Sequence, residues 1–171
     1  MDGTLVDSLP YLKKTFFDFL KKNGLESSEE EFQFYNGMEL SDIIKGLKKK
    51  YKLKGSFQEL YDDYIKNLYE FYSKEVTLFP GAQEFLEMSK QKKMKIAIVT
   101  SAEHSLAKLC VNSTGISSFM DVLITPTQRV LGKPHPDMYL KALNELKILP
   151  KDAIVVEDSE NGVKAAISAK I

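Results

Sequence analysis

Apolar residues in the first half of the chain recur at the spacing of one helix face. They stand every three or four positions near the beginning, at Leu12, Phe16, Phe19 and Leu20. This period places apolar side chains on a single side of an α-helix. Pro10 suits a first helical turn, and Asn23 followed by Gly24 suits a helix end. The pattern therefore predicts a helix over about residues 9–23.

Two later segments carry the signature of a helix start. Ser28 with Glu31 has the spacing of a capping box, in which two side chains satisfy free amide groups of the first turn. Ser56 with Glu59 repeats that spacing. An aromatic stripe follows, which we interpret as ordinary bundle core: Tyr61, Tyr64, Leu68, Phe71 and Tyr72. Residues 10–76 are therefore predicted to form a small helical bundle.

The pattern changes near residue 78, where short apolar runs begin to alternate with amphipathic stretches. Three runs are short, bounded and rich in β-branched residues, as buried parallel strands are: 95–99, 122–124 and 153–156. Helical stretches are predicted around them, at about 82–92, 103–113 and 136–147. Strands that alternate with helices indicate a parallel sheet with right-handed crossovers. The predicted fold class is α/β, with a Rossmann-like parallel sheet.

Composition narrows the partners and the compartment. Lys plus Arg and Asp plus Glu both count 24, so the formal net charge is zero and no large field favours nucleic acid or an anionic membrane. Cys110 is the single cysteine, so an internal disulfide is excluded. No apolar run approaches the roughly 20 residues of a membrane span, and no signal-peptide pattern opens the chain. We expect a cytoplasmic monomer that binds a small molecule, without nucleic-acid or membrane partners.

Polar residues follow two of the predicted strands, at the edge where parallel sheets bind ligands. Thr100 and Ser101 come after the first strand, at a predicted helix start whose free amides favour an anion. Glu157 and Asp158 come after the third strand. Two adjacent carboxylates in a cleft favour a hard cation such as Mg²⁺. Phosphate and metal chemistry are therefore candidates for this edge.

Two further candidates are Lys133 and Asp2. Lys133 stands between Gly132 and Pro134 and is suited to hold a positive charge against phosphate. Asp2 places an acid before a turn at the beginning of the chain. Taken singly, each candidate in the chain also has a structural interpretation, as a helix cap, a turn or a solvated surface residue. Their order along the chain favours one shared site.

Four segments in order resemble the motifs of the haloacid dehalogenase superfamily: MDGTLVDS at 1–8, IVTS at 98–101, GKPHPD at 132–137 and VEDS at 156–159. The chain is most similar to the branch that holds phosphoglycolate phosphatase and β-phosphoglucomutase, over practically its whole length. The resemblance implies an α/β core from residues 1–9 and 77–171. It also implies that residues 10–76 form an inserted α-helical cap domain, which excludes water and contacts the leaving group.

The resemblance implies catalytic roles for Asp2, Thr100 and Lys133 and a phosphate-binding role for Ser101. Asp2 would be the general acid/base that protonates the leaving oxygen and then activates water. Thr100 and Ser101 would bind the transferring phosphoryl group. Lys133 would neutralise the charge of that group and steady the nucleophile.

The resemblance also implies a magnesium site and a reaction. Asp158 would bind Mg²⁺ directly, Glu157 through water, and Asp2 through its backbone carbonyl. An acid at position 2 is not needed for halide displacement, so phosphoryl transfer is favoured. The predicted function is hydrolysis of a small phosphorylated metabolite through an aspartyl-phosphate intermediate.

One position departs from the family pattern. The family nucleophile is an aspartate two residues before the acid/base residue, and that position falls immediately before Met1. We therefore expect the 171 residues to lack the nucleophile and the first strand, and to be inactive or nearly so. Residues 165–171 resemble a helix that precedes a further turn and strand, so we expect truncation at both ends.

Two alternatives stay open at this point. A phosphosugar mutase is disfavoured because our alignment places Leu40 where β-phosphoglucomutases carry an arginine for a second phosphate. A non-catalytic binding module on the same fold would account for the missing nucleophile. Release of free phosphate separates the hydrolase from the mutase.

Overall fold

The computed structural model describes residues 1–127 and 129–171, which contain eight α-helices and two β-strands. The helices are α1 (Leu9–Lys22), α2 (Glu29–Tyr35), α3 (Leu40–Tyr51), α4 (Phe57–Lys74), α5 (Ala82–Gln91), α6 (His104–Ser113), α7 (Asp137–Leu146) and α8 (Glu160–Ser168). The strands are β1 (Ala97–Val99) and β2 (Val122–Ile124). The predicted α/β class is confirmed. Within the described ranges, no helix is both long and apolar enough to cross a lipid bilayer.

Two of the early helices begin at the serines that the sequence indicates. Ser56 accepts a hydrogen bond from the Glu59 amide at 3.2 Å, and the Glu59 carboxylate accepts one from the Ser56 amide at 2.7 Å, which completes a capping box. Ser28 accepts from the Glu31 amide at 3.3 Å. The Glu31 carboxylate accepts from the hydroxyls of Tyr51 and Ser27, both at 2.5 Å, instead of from the Ser28 amide. Helix α2 therefore begins with half of the predicted box.

Aromatic side chains hold the first four helices together. Phe19 and Tyr64 meet edge to face with 5.1 Å between ring centroids, and Tyr11 stacks on Phe71 at 4.1 Å. Helix α4 packs against α1 and α3. We refer to residues 9–74 as the helical segment. Helix α4 also packs along α6, so the helical segment rests directly on the α/β part.

The two strands form a parallel pair that fixes one edge of the molecule. Ile98 lies opposite Leu123, and α7 packs on both strands. The side chains of Ile98 and Ile124 are buried. Because the strands run in the same direction, their carboxyl ends lie at a common edge, next to Thr100.

The third predicted strand, residues 153–156, is wrong. This segment makes no strand ladder, and the side chains of Ile154 and Val156 are 73% and 63% exposed. A cavity of about 490 Å³ is lined by β1 on one side and by residues 153–156 on the other. A strand exists only through hydrogen bonds to a neighbour. The cavity separates this β-branched run from β1. Residues 153–156 therefore have no neighbouring strand to pair with, despite their high β propensity.

Candidate active site

The six predicted site residues line one cavity at the carboxyl end of β1. Its volume is about 120 Å³. The predicted residues that line it are Asp2, Thr100, Ser101, Lys133, Glu157 and Asp158. The opposite wall comes from the helical segment. The fold therefore brings together residues from four separate stretches of sequence.

Asp2 is held by two buried hydroxyl groups. Ser8 Oγ donates to Asp2 Oδ1 at 2.7 Å, and Tyr72 OH, near the end of α4, donates to the same oxygen at 2.5 Å. Burial raises the pKa of Tyr72 well above its ordinary value, and the Asp2 charge acts in the same direction. Tyr72 therefore stays a neutral donor at ordinary pH, and the Asp2 carboxylate is fixed in position.

Asp158 meets the first turn of the chain through Thr4 and Gly3. Thr4 Oγ1 donates to Asp158 Oδ1 at 2.8 Å. Gly3 has a φ of +68°, and a methyl group on it would lie 2.1 Å from Asp158 Oδ2. A side chain at position 3 would strain the backbone and collide with the carboxylate, so glycine is required there. This close approach sets Asp158 beside the turn that carries Asp2.

Thr100 and Ser101 lie in a loop, not at the helix start that the sequence predicts. Helix α6 begins at His104, three residues after Ser101, and Glu103 is its N-cap residue. The Glu103 carboxylate accepts from the Ser105 amide at 2.9 Å. A carboxylate of the chain itself thus occupies the helix terminus that we expected to favour an anion. The expectation that free amides of this helix bind an anion beside Thr100 and Ser101 is therefore wrong.

The two hydroxyls nevertheless face the cavity with different partners. Thr100 is 3% exposed, and its Oγ1 accepts from the Ala102 amide at 3.2 Å. Among the described residues, no acceptor takes the proton of the Thr100 hydroxyl, so this group can donate to a ligand in the cavity. Ser101 Oγ donates to the Gly37 carbonyl at 2.7 Å, which ties this loop to the helical segment. Ser101 would have to give up that bond to donate to a phosphoryl oxygen.

Lys133 and Glu157 form a buried ion pair. Their side chains are 5% and 8% exposed, and Lys133 Nζ donates to Glu157 Oε1 and, at 3.2 Å, to the Val99 carbonyl. Tyr139 OH donates to the same Glu157 oxygen at 2.7 Å. Burial raises the pKa of Glu157, but the Lys133 charge and the hydrogen bonds from Lys133 and Tyr139 outweigh it, so the net pKa is lowered. The ammonium of Lys133 is therefore fixed at the cavity by an ionised partner.

The side-chain charges around the cavity do not balance. Among the described residues, the carboxylates of Asp2, Glu103, Glu157 and Asp158 line it against the side-chain ammonium of Lys133. A phosphate dianion would be repelled unless a cation accompanied it. The donor set consists of oxygen atoms, which fits a hard divalent cation such as Mg²⁺. Over residues 1–127 and 129–171, however, no three acidic, imidazole or thiol side chains already converge as a metal site.

A loop of the helical segment, residues 36–39, closes the cavity from the other side. The Gly37 carbonyl accepts from Ser101, and the Asn36 carbonyl accepts from Asn161 Nδ2 at 3.2 Å. A methyl group on Gly37, which has a φ of +80°, would lie 2.7 Å from Ser159 Oγ. This loop therefore lies close against the loops after β1 and before α8.

Comparison with known proteins places the chain in a family. The model of the haloacid dehalogenase-like hydrolases matches residues 1–171, the whole chain. The chain belongs to this family. The resemblance inferred from the four motifs is thereby confirmed.

Two curated relatives of the hydrolase are phosphatases. This chain is 28% identical to the phosphorylated carbohydrates phosphatase of Thermotoga maritima over 171 residues, which are 100% of this chain and 79% of the relative. It is 28% identical to hexitol phosphatase A of Escherichia coli over 172 residues, which cover 99% of this chain and 76% of the relative. These relatives support an enzyme of the phosphatase type.

A solved structure shows the same fold as the hydrolase. CbbY of Rhodobacter sphaeroides, determined in complex with phosphate, superposes with a TM-score of 0.84 and 21% identity. The match covers 99% of this chain and 80% of that protein. At this identity the likeness concerns the fold, which is a parallel sheet with helices.

Three contacts of the hydrolase site are not evident from its sequence. Ser8 lies inside the first motif, where its position six residues after Asp2 is the available signal. The aromatic stripe predicts Tyr72 to be ordinary bundle core, whereas its hydroxyl reaches Asp2 across 70 positions of sequence. No local pattern signals that contact. Glu103, directly before a helix, has the position of an acidic cap.

Proposed function

We propose that this hydrolase is a Mg²⁺-dependent cytoplasmic phosphatase of small phosphomonoesters. The observation that carries the proposal is the meeting of Asp2, Thr100, Lys133 and Asp158 at one cavity. These residues supply a proton donor, a hydroxyl donor, a fixed cation and a hard metal ligand, which phosphoryl transfer requires. The phosphatase relatives support the same class of reaction.

The phosphoryl group binds against Lys133 and the loop after β1. Lys133 Nζ, held by the Val99 carbonyl, supplies positive charge, and the Thr100 hydroxyl donates a hydrogen bond. Ser101 contributes a second hydroxyl after releasing Gly37. Because this region is buried, each of these interactions is stronger than it would be in water.

Asp2 acts as the general acid toward the leaving group and then as the general base toward water. As the bond between phosphorus and the leaving oxygen breaks, Asp2 donates its proton to that oxygen. It then takes a proton from the water that hydrolyses the aspartyl-phosphate intermediate. The hydrogen bonds from Ser8 and Tyr72 hold the carboxylate at the cavity during both transfers.

Asp158 and the Asp2 carbonyl would hold Mg²⁺, with Glu157 acting through water. The ion would offset the surplus carboxylates and polarise a phosphoryl oxygen. The Glu157 carboxylate is engaged by Lys133 and Tyr139, which suits an indirect role better than direct ligation.

The helical segment acts as the cap in this proposal. We assign residues 10–76 to the cap, and residues 1–9 with 77–171 to the core. The contacts of Ser101 and Asn161 with the loop 36–39 support a cap that closes over the cavity. Closure of this kind excludes water from the reacting group.

The 171 residues by themselves are proposed to bind phosphate esters without turning them over. The family nucleophile, an aspartate two residues before Asp2, is not among them. Without that group no aspartyl-phosphate forms, whatever the state of the remaining residues.

Two matched extensions test this function. In one, an apolar strand ending in Asp is added directly before Met1; in the other, the same strand ends in Asn. We expect the Asp version to release phosphate from phosphomonoesters with Mg²⁺ and not with chelator, and the Asn version and the 171-residue chain to release none. Equal inactivity of folded Asp and Asn versions would reject hydrolysis. Interconversion of phosphosugars without phosphate release would establish a mutase instead.

A further inference from the structure

We propose that the site selects phosphomonoesters whose leaving group is compact, uncharged and apolar. This inference rests on the proposed phosphatase function and adds the substrate class. Its ground is the wall of the cavity that faces the catalytic residues.

The helical segment presents an apolar wall to the cavity. Its four helices contribute six side chains without polar atoms and three tyrosines: Leu12, Phe16, Phe32, Leu40, Ile43 and Leu68, with Tyr35, Tyr64 and Tyr72. Over the described residues, no charged side chain of the helical segment lines the cavity. Lysines of this segment instead form ion pairs at the surface, such as Lys13 with Glu29 and Lys45 with Asp42. The leaving group therefore meets mostly apolar surface of the cap and no cation from it.

The size of the cavity limits the leaving group. Its volume is about 120 Å³, and the phosphoryl group takes part of that space. A dry apolar cavity of about 150 Å³ is known to hold one benzene molecule. A leaving group of a few heavy atoms thus fits with the helical segment closed, and a larger one requires the segment to move away.

A carboxylate on the leaving group would be doubly unfavourable. It would lose its hydration without gaining a cation from the cap. It would also share the cavity with the carboxylates of Asp2, Glu103 and Asp158, in surroundings that screen charge poorly. Anionic esters of this kind are therefore rejected.

Hydroxyl groups on the leaving group would find three polar groups of the wall already engaged with other residues. The Asn36 and Gly37 carbonyls accept from Asn161 and Ser101, and the Tyr72 hydroxyl donates to Asp2. A hydroxyl buried without a full set of partners costs free energy that a methyl group in the same place does not. Polyol esters are therefore bound less well than alkyl esters of the same skeleton.

Two matched pairs of ligands, the first similar in size and the second sharing a carbon skeleton, test the inference by calorimetry on the 171-residue chain with Mg²⁺. Isobutyl phosphate and 2-phosphoglycolate differ in charge, and n-propyl phosphate and glycerol 3-phosphate differ in hydroxyl groups. We expect isobutyl phosphate to bind at least about 100-fold more tightly than 2-phosphoglycolate. We expect n-propyl phosphate to bind about tenfold more tightly than glycerol 3-phosphate.

A pair of variants at Leu40, which lines the cavity from the start of α3, provides the control. Leu40→Lys brings a cation to the wall, so the affinity ratio of isobutyl phosphate to 2-phosphoglycolate should narrow by at least about tenfold. The neutral Leu40→Gln should leave that ratio unchanged. Titration with inorganic phosphate monitors the phosphate site itself. Phosphate binding without discrimination within either pair would overturn the inference and leave the phosphatase proposal intact. No binding of phosphate or of any ester would overturn both.

Discussion

The hydroxyl of Tyr72 joins the helical segment to the proposed acid/base residue. Tyr72 OH lies 2.5 Å from Asp2 Oδ1, and Tyr72→Phe removes that donor while Ser8 remains. We expect kcat of the Asp-extended version to fall by about tenfold, because a misplaced carboxylate transfers protons poorly. KM should change by less than about twofold, since Tyr72 does not hold the phosphoryl group.

The neighbouring Tyr69→Phe change is the matched control. Tyr69 lies one turn earlier on α4, and its hydroxyl bonds Ser105 outside the cavity lining. Its loss should leave kcat unchanged. An equal fall in kcat for both variants would show that Tyr72 acts through the stability of α4 and not through Asp2.

Cys110 is predicted to be unreactive toward thiol reagents in the folded chain. Its side chain is fully buried, and burial raises the pKa of the thiol to about 12. Because the thiolate is the reactive form, a thiol reagent at pH 8 should label the denatured chain and leave the folded chain unlabelled. Rapid labelling under native conditions would contradict the packing of α6.

The location of the candidate site residues was predictable where an ordered motif carries them, and unpredictable where a contact joins residues distant in sequence. Asp2, Lys133 and Asp158 stand in ordered motifs, and the fold brings them to one cavity. Tyr72 has no such signal, because its apolar neighbours on α4 are equally well explained by bundle packing. A hydroxyl that crosses from one part of the fold to another is set by tertiary geometry alone.

At the scale of elements, one ion pair joins the loop after β2 to the loop before α8. Lys133→Met leaves the Glu157 carboxylate buried without its counter-charge. We expect the free energy of unfolding to fall by about 3–5 kcal/mol, measured by chemical denaturation. The double variant Lys133→Met/Glu157→Gln should recover most of this loss, and failure to recover would mean that Lys133 acts through packing.

The same pair predicts how stability depends on pH. The folded-state pKa of Glu157 is lowered from 4.5, so its contribution is present above that value and is lost as pH falls through the folded-state pKa. Glu157→Gln should therefore make the loss of stability below about pH 4.5 less steep. Identical acid unfolding of the two proteins would contradict the assigned direction.

Helix starts could be predicted from local sequence patterns more reliably than strands. The capping box at Ser56 and Glu59 is a local device, and it forms as predicted. Residues 153–156 carry the same β-branched signal as β1, yet they form no strand because the space beside β1 is a cavity. Helix α6 begins at His104, close to the predicted start at about residue 103, but Glu103 and not Thr100 or Ser101 lies at that start as its N-cap. Strand formation depends on partners that the segment itself does not encode.

At the scale of the whole molecule, the helical segment and the α/β part enclose the site between them. Helix α4 packs along α6, and the loop 36–39 bonds to Ser101 and Asn161. A ligand in the cavity touches both parts, so binding should stabilise the whole chain by mass action. The monomeric state and the cytoplasmic location stay predictions from the sequence.

The most direct test of the central claim is a calorimetric titration of inorganic phosphate into the 171-residue chain, with Mg²⁺ and with chelator. Because carboxylates outnumber the side-chain cation at the cavity, we predict saturable binding with Mg²⁺ only, lost in Asp158→Asn and weakened by about tenfold in Thr100→Val. Phosphate binding that is indifferent to Mg²⁺ and to both substitutions, or absent from the folded chain, would contradict the account.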